Sequence, residues 1–330
     1  MLPDFTQQLL NDSSLYQGAL ILLVSILLAK MAPLPREAQA FYWYSHLARS
    51  LSAKVNRKGR TSSQQKTAGF LAIVLLVVPF WLITTFLINL AAFPWFFEFI
   101  ILYLCLCDEQ FYKVAEETAQ VLRQDNRPRA RALLKHWLFR DTQGLSEVGL
   151  TKATIEKLVT TPVYGTVATI LFFAIGGAPL VLGARMIKQL EYCWPSINPQ
   201  YRSFGKPTYY LSYALYFLPT QLWNFTLAIQ GGPRTLMLML RPTKSRYPIN
   251  NHIATCEIAA HVLHIELGGP IKFADTKVSV EKVGKSQKPD ASHLLPALKL
   301  VRMGNTIWVL SVILIPVIWA LLRYLKTAAL

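Results

Sequence analysis

The chain has 330 residues, of which 53% are hydrophobic and only 16% charged, well under the roughly 25% charged residues of ordinary soluble domains. Its formal net charge is +16, yet no basic soluble stretch with interleaved aromatics is present, so nucleic acid is not an expected partner. The four cysteines stand at 105, 107, 193 and 256 without a C-x-x-C pair, and with 105 and 107 inside an apolar stretch no disulfide framework is suggested.

The first apolar stretch, 13–31, follows Asp4 and Asp12 with no Lys or Arg before it and no A-x-A site after it. It reads as a retained anchor rather than a cleaved signal peptide. From Thr67 to Phe97 the chain carries no Asp, Glu, Lys or Arg, and only Glu98 separates this run from the apolar Phe99–Cys107. About 20 apolar residues span a hydrocarbon core, so the block holds two passes, and Pro94 sits where the first would end. A helical hairpin over 68–91 and 95–112 is predicted.

Next, Phe111, Ala115, Ala119 and Leu122 recur at helical spacing with charges between them, predicting an amphipathic helix. A second helix at about 127–139 leads into the polar turn 140–145. Further apolar stretches lie at 160–184, 208–230 and 303–322. The Lys-rich, weakly alternating segment 275–291 suits a short strand pair or a flexible loop. No stretch reads as a second domain, so residues 1–330 are taken as one membrane domain.

Of the 34 Lys and Arg residues, 28 fall in 30–67, 108–161 and 230–302. The positive-inside rule places the loops 32–67, 113–159 and 231–302 in the cytoplasm and both termini in the periplasm of a bacterial inner membrane. The stretches 160–184 and 208–230 must then both cross or both stay, giving four or six membrane segments. The fold class is therefore all-α, a polytopic helical membrane protein whose first partner is the lipid bilayer. The basic loops read as headgroup contacts. A transport path would want ionisable residues within the spans, and only Glu98 qualifies.

Generic catalytic motifs are absent, including a Gly-rich Walker loop. Glu257, His261 and His264 share one helical face, which suits either a metal ion or an ordinary polar surface. No motif supplies further ligands, and no metal site is assigned.

The segment LFRDTQGLSEVGLTKATIEKL, beginning at residue 138, resembles the R-D-T-S-G-L-D-E-x-G-x-x-x-A-x-V-E-S-L block of the CobD/CbiB cobalamin-biosynthesis proteins. The likeness continues through GGAPLVLGARMIKQLE (176–191), QYRSFG (200–205), FLPTQL (217–222) and EIAAHVLHIELGGP (257–270). The resemblance implies an adenosylcobinamide-phosphate synthase, an ATP-dependent amide-forming ligase. Such an enzyme joins adenosylcobyric acid to aminopropanol phosphate, with Mg²⁺ held by carboxylates and phosphate by cationic or amide groups.

This chain departs from the family at polar positions. Where the family has E-N-x-x-D-G, it has Thr160, Thr161, Tyr164 and Gly165; where the family has N-T-L-D, it has Lys188, Gln189, Leu190 and Glu191. The family's R-L-D-D is Tyr210, Leu211, Ser212 and Tyr213 here, while Gly176, Gly177, Phe204, Gly205, Gly268 and Gly269 persist. Apolar and Gly positions kept while acids go is the pattern of a retained scaffold with a relaxed site. AmpE, a regulatory membrane protein of the same superfamily, also lacks the polar motifs. Two functions are thus expected: a diverged member with lost or altered synthase activity and an AmpE-like regulatory or partner-binding role, or a working synthase that uses ATP and Mg²⁺. A corrinoid ligand or a membrane-protein partner fits the first.

Catalytic residues are not assigned. The surviving family positions Arg140, Asp141, Thr142, Glu156, Arg202, Glu257, Gly268 and Gly269 are expected to form one cytoplasm-facing ligand pocket. For Asp141-Thr142 two roles are open, facing a ligand or capping the helix from Leu145 onward. The topology is tested by cysteine-accessibility labelling in a background without native cysteines. A cysteine at Lys285 should stay unlabelled from outside intact cells, and labelling there would overturn the assignment.

Overall fold

The computed structural model describes residues 13–35, 39–57, 59–106, 108–138, 140–240, 248–273, 276–284 and 287–328. Lys285 and the Asp275 end of the 275–291 segment lie outside them. Among the described residues the chain is almost wholly helical, with four strands of two or three residues each. Four helical stretches are long and apolar enough to cross a bilayer: Ser13–Met31, Ser62–Leu90, Glu147–Cys193 and Ala291–Lys326.

Helix α1 is Ser13–Met31 and α2 is Ala40–Val55. Helix α3, Ser62–Leu90, starts at a capping box in which Thr61 accepts from the Gln64 backbone and Gln64 returns a bond to Thr61. It ends at the extended Ala91, and Pro94 then opens α4, Pro94–Cys105. Proline suits a first helical turn, whose N–H groups have no intrahelical acceptor.

The helix predicted over 95–112 is two helices. The backbone is extended at Leu106, and α5, Asp108–Arg123, starts afresh. At 12 residues α4 is about 18 Å long, short of a full bilayer pass. No Pro or Gly marks this break, which falls where the apolar run gives way to Asp108 and Glu109. In α5 the expected stripe Phe111, Ala115, Ala119 and Leu122 is buried in full. Helix α6 is Arg127–Lys135.

Helix α7, Glu147–Tyr164, is capped by Ser146, whose hydroxyl accepts from the Gly149 backbone at 3.3 Å. After Gly165 comes α8, Thr166–Cys193, interrupted at Gly176 and at Gly177, whose φ of 65° favours glycine. There the chain doubles back. Arg185 Nη1 donates to the Tyr164 carbonyl at 3.2 Å, and Lys188 Nζ lies 3.7 Å from the centroid of the Tyr164 ring. An unbroken helix would hold these residues on the order of 30 Å apart. The apolar stretch expected at 160–184 is therefore the turn of a helical hairpin, with both ends of the hairpin at one pole. Glu98 of α4 lies against its tip, 3.9 Å from where a Cβ on Gly177 would stand. That spot adjoins the positive N-terminal end of the second arm.

Helix α9, Lys206–Gln230, is not among the helices apolar enough to cross. It exposes Tyr210, Leu211, Phe217, Leu218, Phe225 and Ile229 along one side and buries Tyr216, Trp223 and Leu227 on the other. Helix α10 is Pro233–Met239, α11 is Asn250–Leu263 and α12 is Leu294–Ala328. Between α11 and α12, strand β1 (Leu267–Gly268) pairs with β4 (Lys282–Val283), and β2 (Ile271–Phe273) with β3 (Thr276–Val278), both antiparallel. One hydrophobic cluster runs through these helices from Ile21 to Val312.

The second arm of α8 is clamped from outside by α2: Gln189 Nε2 donates to Ser45 Oγ at 2.6 Å, and Trp194 Nε1 to the Ala48 carbonyl at 3.2 Å. Helix α3 meets the turn before α9 at Gly69, where an added Cβ would collide with the Phe204 carbonyl oxygen. Backbone cannot yield as a side-chain tip can, so Gly69→Ala should destabilise the protein by about 1–3 kcal/mol. Thermal unfolding in detergent checks this, and an unchanged midpoint would show that the approach is not close.

Candidate functional site

The polar centre is built on Glu156 of α7. Its Oε2 takes Arg140 Nη2 at 2.5 Å and its Oε1 accepts from the Gly268 backbone at 2.8 Å. Both charged side chains are nearly enclosed, with 14% of Arg140 and 6% of Glu156 exposed. An enclosed carboxylate without such partners would be costly, so the pair and the backbone donor act together. Gly268 has a φ of 73° and lies so close to the Glu281 carbonyl that no Cβ fits. A second latch holds the same strand: Lys152 Nζ bonds Glu266 Oε1 at 2.5 Å and the Gly268 carbonyl at 3.3 Å. Gly269 follows at a φ of 113°.

The structure thus brings Arg140, Glu156 and Gly268 together, with Gly269 next to them. Thr142 is buried behind them, its hydroxyl 3.4 Å from the Arg131 carbonyl. Asp141 accepts from the Gln143 backbone at 2.9 Å, while its own N–H donates to the Lys272 carbonyl at 3.0 Å. It shapes the turn and does not cap α7, a role Ser146 fills. Arg202 is solvent-exposed and does not line the cleft. Nor does Glu257, because α11 presents His252 there, and Glu257 stands five residues further along the helix. His264 ends α11 in the left-handed conformation at a φ of 53°, which takes it off the stripe with Glu257 and His261. Among the described residues no three His, Cys, Asp or Glu side chains are grouped to hold a metal ion.

The sequence reading missed the second half of the site. Lys188, on the returning arm of α8, is buried. Its ammonium pairs with Glu191 Oε2 at 2.7 Å and lies 3.7, 5.0 and 5.8 Å from the ring centroids of Tyr164, Tyr192 and Tyr216. Glu191 also accepts from the Ser212 hydroxyl. Tyr164, Lys188, Glu191 and Ser212 all lie in the blocks at which the sequence departs from its family pattern. Three separate helices bring them to one place. That the departures fell on three successive polar blocks was the available signal; their convergence was not visible.

The resulting cleft, about 170 Å³, runs from Arg140 and Glu156 past His252 to Lys188 and Glu191, under an apolar rim that includes Trp137, Ile249 and Phe273. Across Tyr192 and Trp137 lies a second basin of about 240 Å³. Arg49, Lys135, Lys157, Arg185, His46 and His136 line it, and none of its lining residues is Asp or Glu.

A helical membrane protein with a cleft of paired charges between a helical hairpin and a Gly-rich strand turn is the class that fold and site define. The chain belongs to the CobD/CbiB family, whose model, described as CobD/Cbib protein, matches residues 22–301. Cobalamin biosynthesis protein CobD of Stutzerimonas stutzeri A1501 is 26% identical over 286 residues, covering 87% of this chain and 94% of that protein. CobD of Geobacter metallireducens is 27% identical over 191 residues, 56% of this chain and 60% of the relative. Cobalamin biosynthesis protein CbiB of Salmonella typhimurium is 25% identical over 206 residues, 59% and 63% respectively. No solved structure matches. At such identities the chain is a diverged member.

Burial, together with the cations Arg140, Lys188 and Lys157, pushes His252 down from 6.5 to about 4, against the opposing pull of Glu156. The imidazole in the cleft is therefore neutral at pH 7. An unfolded chain takes up this proton below pH 6.5 and the folded one only near 4, so the unfolded state binds more protons in that window. Stability carried by neutral His252 is full above pH 6.5 and falls as pH drops toward 4. Comparing wild type with His252→Asn by thermal unfolding should show a shallower acid loss in the variant between these pH values. Parallel curves would refute it.

Proposed function

We propose that this protein is a bacterial inner-membrane protein that keeps the family's cytoplasm-facing cleft but has lost or altered the Mg²⁺- and ATP-dependent amide ligation. In this reading both termini are periplasmic, and the cleft serves an AmpE-like regulatory or partner-binding role, with a corrinoid as its ligand. The observation that carries it is the ion pair of Lys188 and Glu191. Mg²⁺ wants several oxygen ligands in octahedral array. Here the two carboxylates lining the cleft, Glu156 and Glu191, are each engaged by a cation, and Tyr164 and Ser212 stand where the family pattern has acids. A buried ammonium beside the only carboxylate of that half repels a second cation. The residues present do not fit Mg²⁺, and no step is routed through it.

The alternative, a working synthase, draws support from the carboxylate-free basin, whose arginines and lysines suit a phosphate-bearing ligand. Complementation of a synthase-null strain fed cobyric acid separates the two. Growth should not be restored by this chain, and restoration would establish the synthase.

A further inference from the structure

A larger cavity, about 550 Å³, lies away from the cleft, where the ends of α1 and α4 meet the start of α5, the first residue of α8 and the middle of α12. It falls within the roughly 300–1,000 Å³ usual for small-molecule sites. Its walls are divided by chemistry. Ile26 and Leu27 of α1 with Val309 and Leu310 of α12 make an apolar half, on two helices long and apolar enough to cross a bilayer. Leu27 and Leu310 are 45% and 46% exposed, so this half opens sideways onto the surface that faces lipid chains. Lys30, Arg302 and Glu109 stand at the other half, Lys30 one helical turn beyond Leu27 on α1 and Arg302 about two turns from Val309 on α12, both toward the charged loops.

We propose that this cavity binds one anionic phospholipid, its phosphodiester between Lys30 and Arg302 and its acyl chains along Leu27 and Leu310. A free phosphate offers the same charge but no use for the apolar half. A soluble apolar ligand leaves two cations unused. An amphiphile with a single negative charge satisfies both, since Lys30, Arg302 and Glu109 sum to one positive charge. Basic pockets between membrane helices at the loop side are suited to lipid headgroups, each Lys or Arg contributing about 1 kcal/mol. Arg302 is available for exchange: its contact with Glu116 is 3.2 Å, with both side chains nearly half exposed, and such surface pairs contribute little. The proposal does not depend on whether the cleft is catalytic.

The test uses the full chain, delipidated in mild detergent, with thermal unfolding and native mass measured after adding defined lipids. Phosphatidylglycerol should raise the unfolding midpoint and leave one bound lipid per chain; phosphatidylcholine and inorganic phosphate should do neither. Lys30→Gln with Arg302→Gln should weaken phosphatidylglycerol binding roughly ten-fold or more. If that variant does not survive purification, Leu27→Trp, which fills the apolar half and keeps both charges, should give the same loss. Equal responses to phosphatidylglycerol and phosphatidylcholine, an equal response to inorganic phosphate, or unchanged binding in the purifiable variant would overturn the proposal.

Discussion

The fold depends on one backbone event, the reversal at Gly176 and Gly177. A positive φ at Gly177 costs an L-residue more than it costs glycine, and the turn lets two arms of α8 lie side by side instead of end to end. Because the chain returns, Tyr164 and Lys188 touch although 24 positions part them, and both ends of the hairpin reach the charged pole. Glu98, placed at the tip by the short helix α4, supplies a negative group at the start of the returning arm.

At the pole, the cleft is organised by desolvation. Two carboxylates are taken largely out of water, and each has its own cation: Arg140 for Glu156, Lys188 for Glu191. Pairing of this kind gives little net stability, but losing one member of a pair leaves an uncompensated buried charge. The site is consequently intolerant of single charge changes. Tyr164 and Ser212 in place of acids, with Lys188 in place of an amide, make sense as a set, because the ammonium needs one carboxylate, a hydroxyl-anchored geometry and aromatic faces around it.

The charged surface is divided between two environments. Cations of the basin beside Tyr192 face a volume with a largely polar lining, whereas Lys30 and Arg302 sit where apolar helices give way to loops. The first arrangement suits a soluble anion and the second an amphiphile. The same net charge of +16 thus serves unlike partners according to the apolar surface next to each cation.

Hydropathy and charge are local and additive, so the sequence by itself determined the helical membrane class, the apolar stretches and the basic loops between them. It also determined the buried stripe of α5, since helical spacing alone decides which of its residues share a face. The end of α4 at Cys105 was not read, because no Pro or Gly stands there and the change from apolar residues to Asp108 is equally compatible with one continuous helix. Arg140, Glu156 and Gly268, expected in one pocket, are in contact, while Glu257 and Arg202 are not among the residues that line the cleft. Which face of α11 meets α7 is set by packing, and it selects His252. Only the tertiary structure decided that Lys188 belongs with Tyr164, Glu191 and Ser212: contact across three helices follows from how the hairpin turns, which no pattern along the chain encodes.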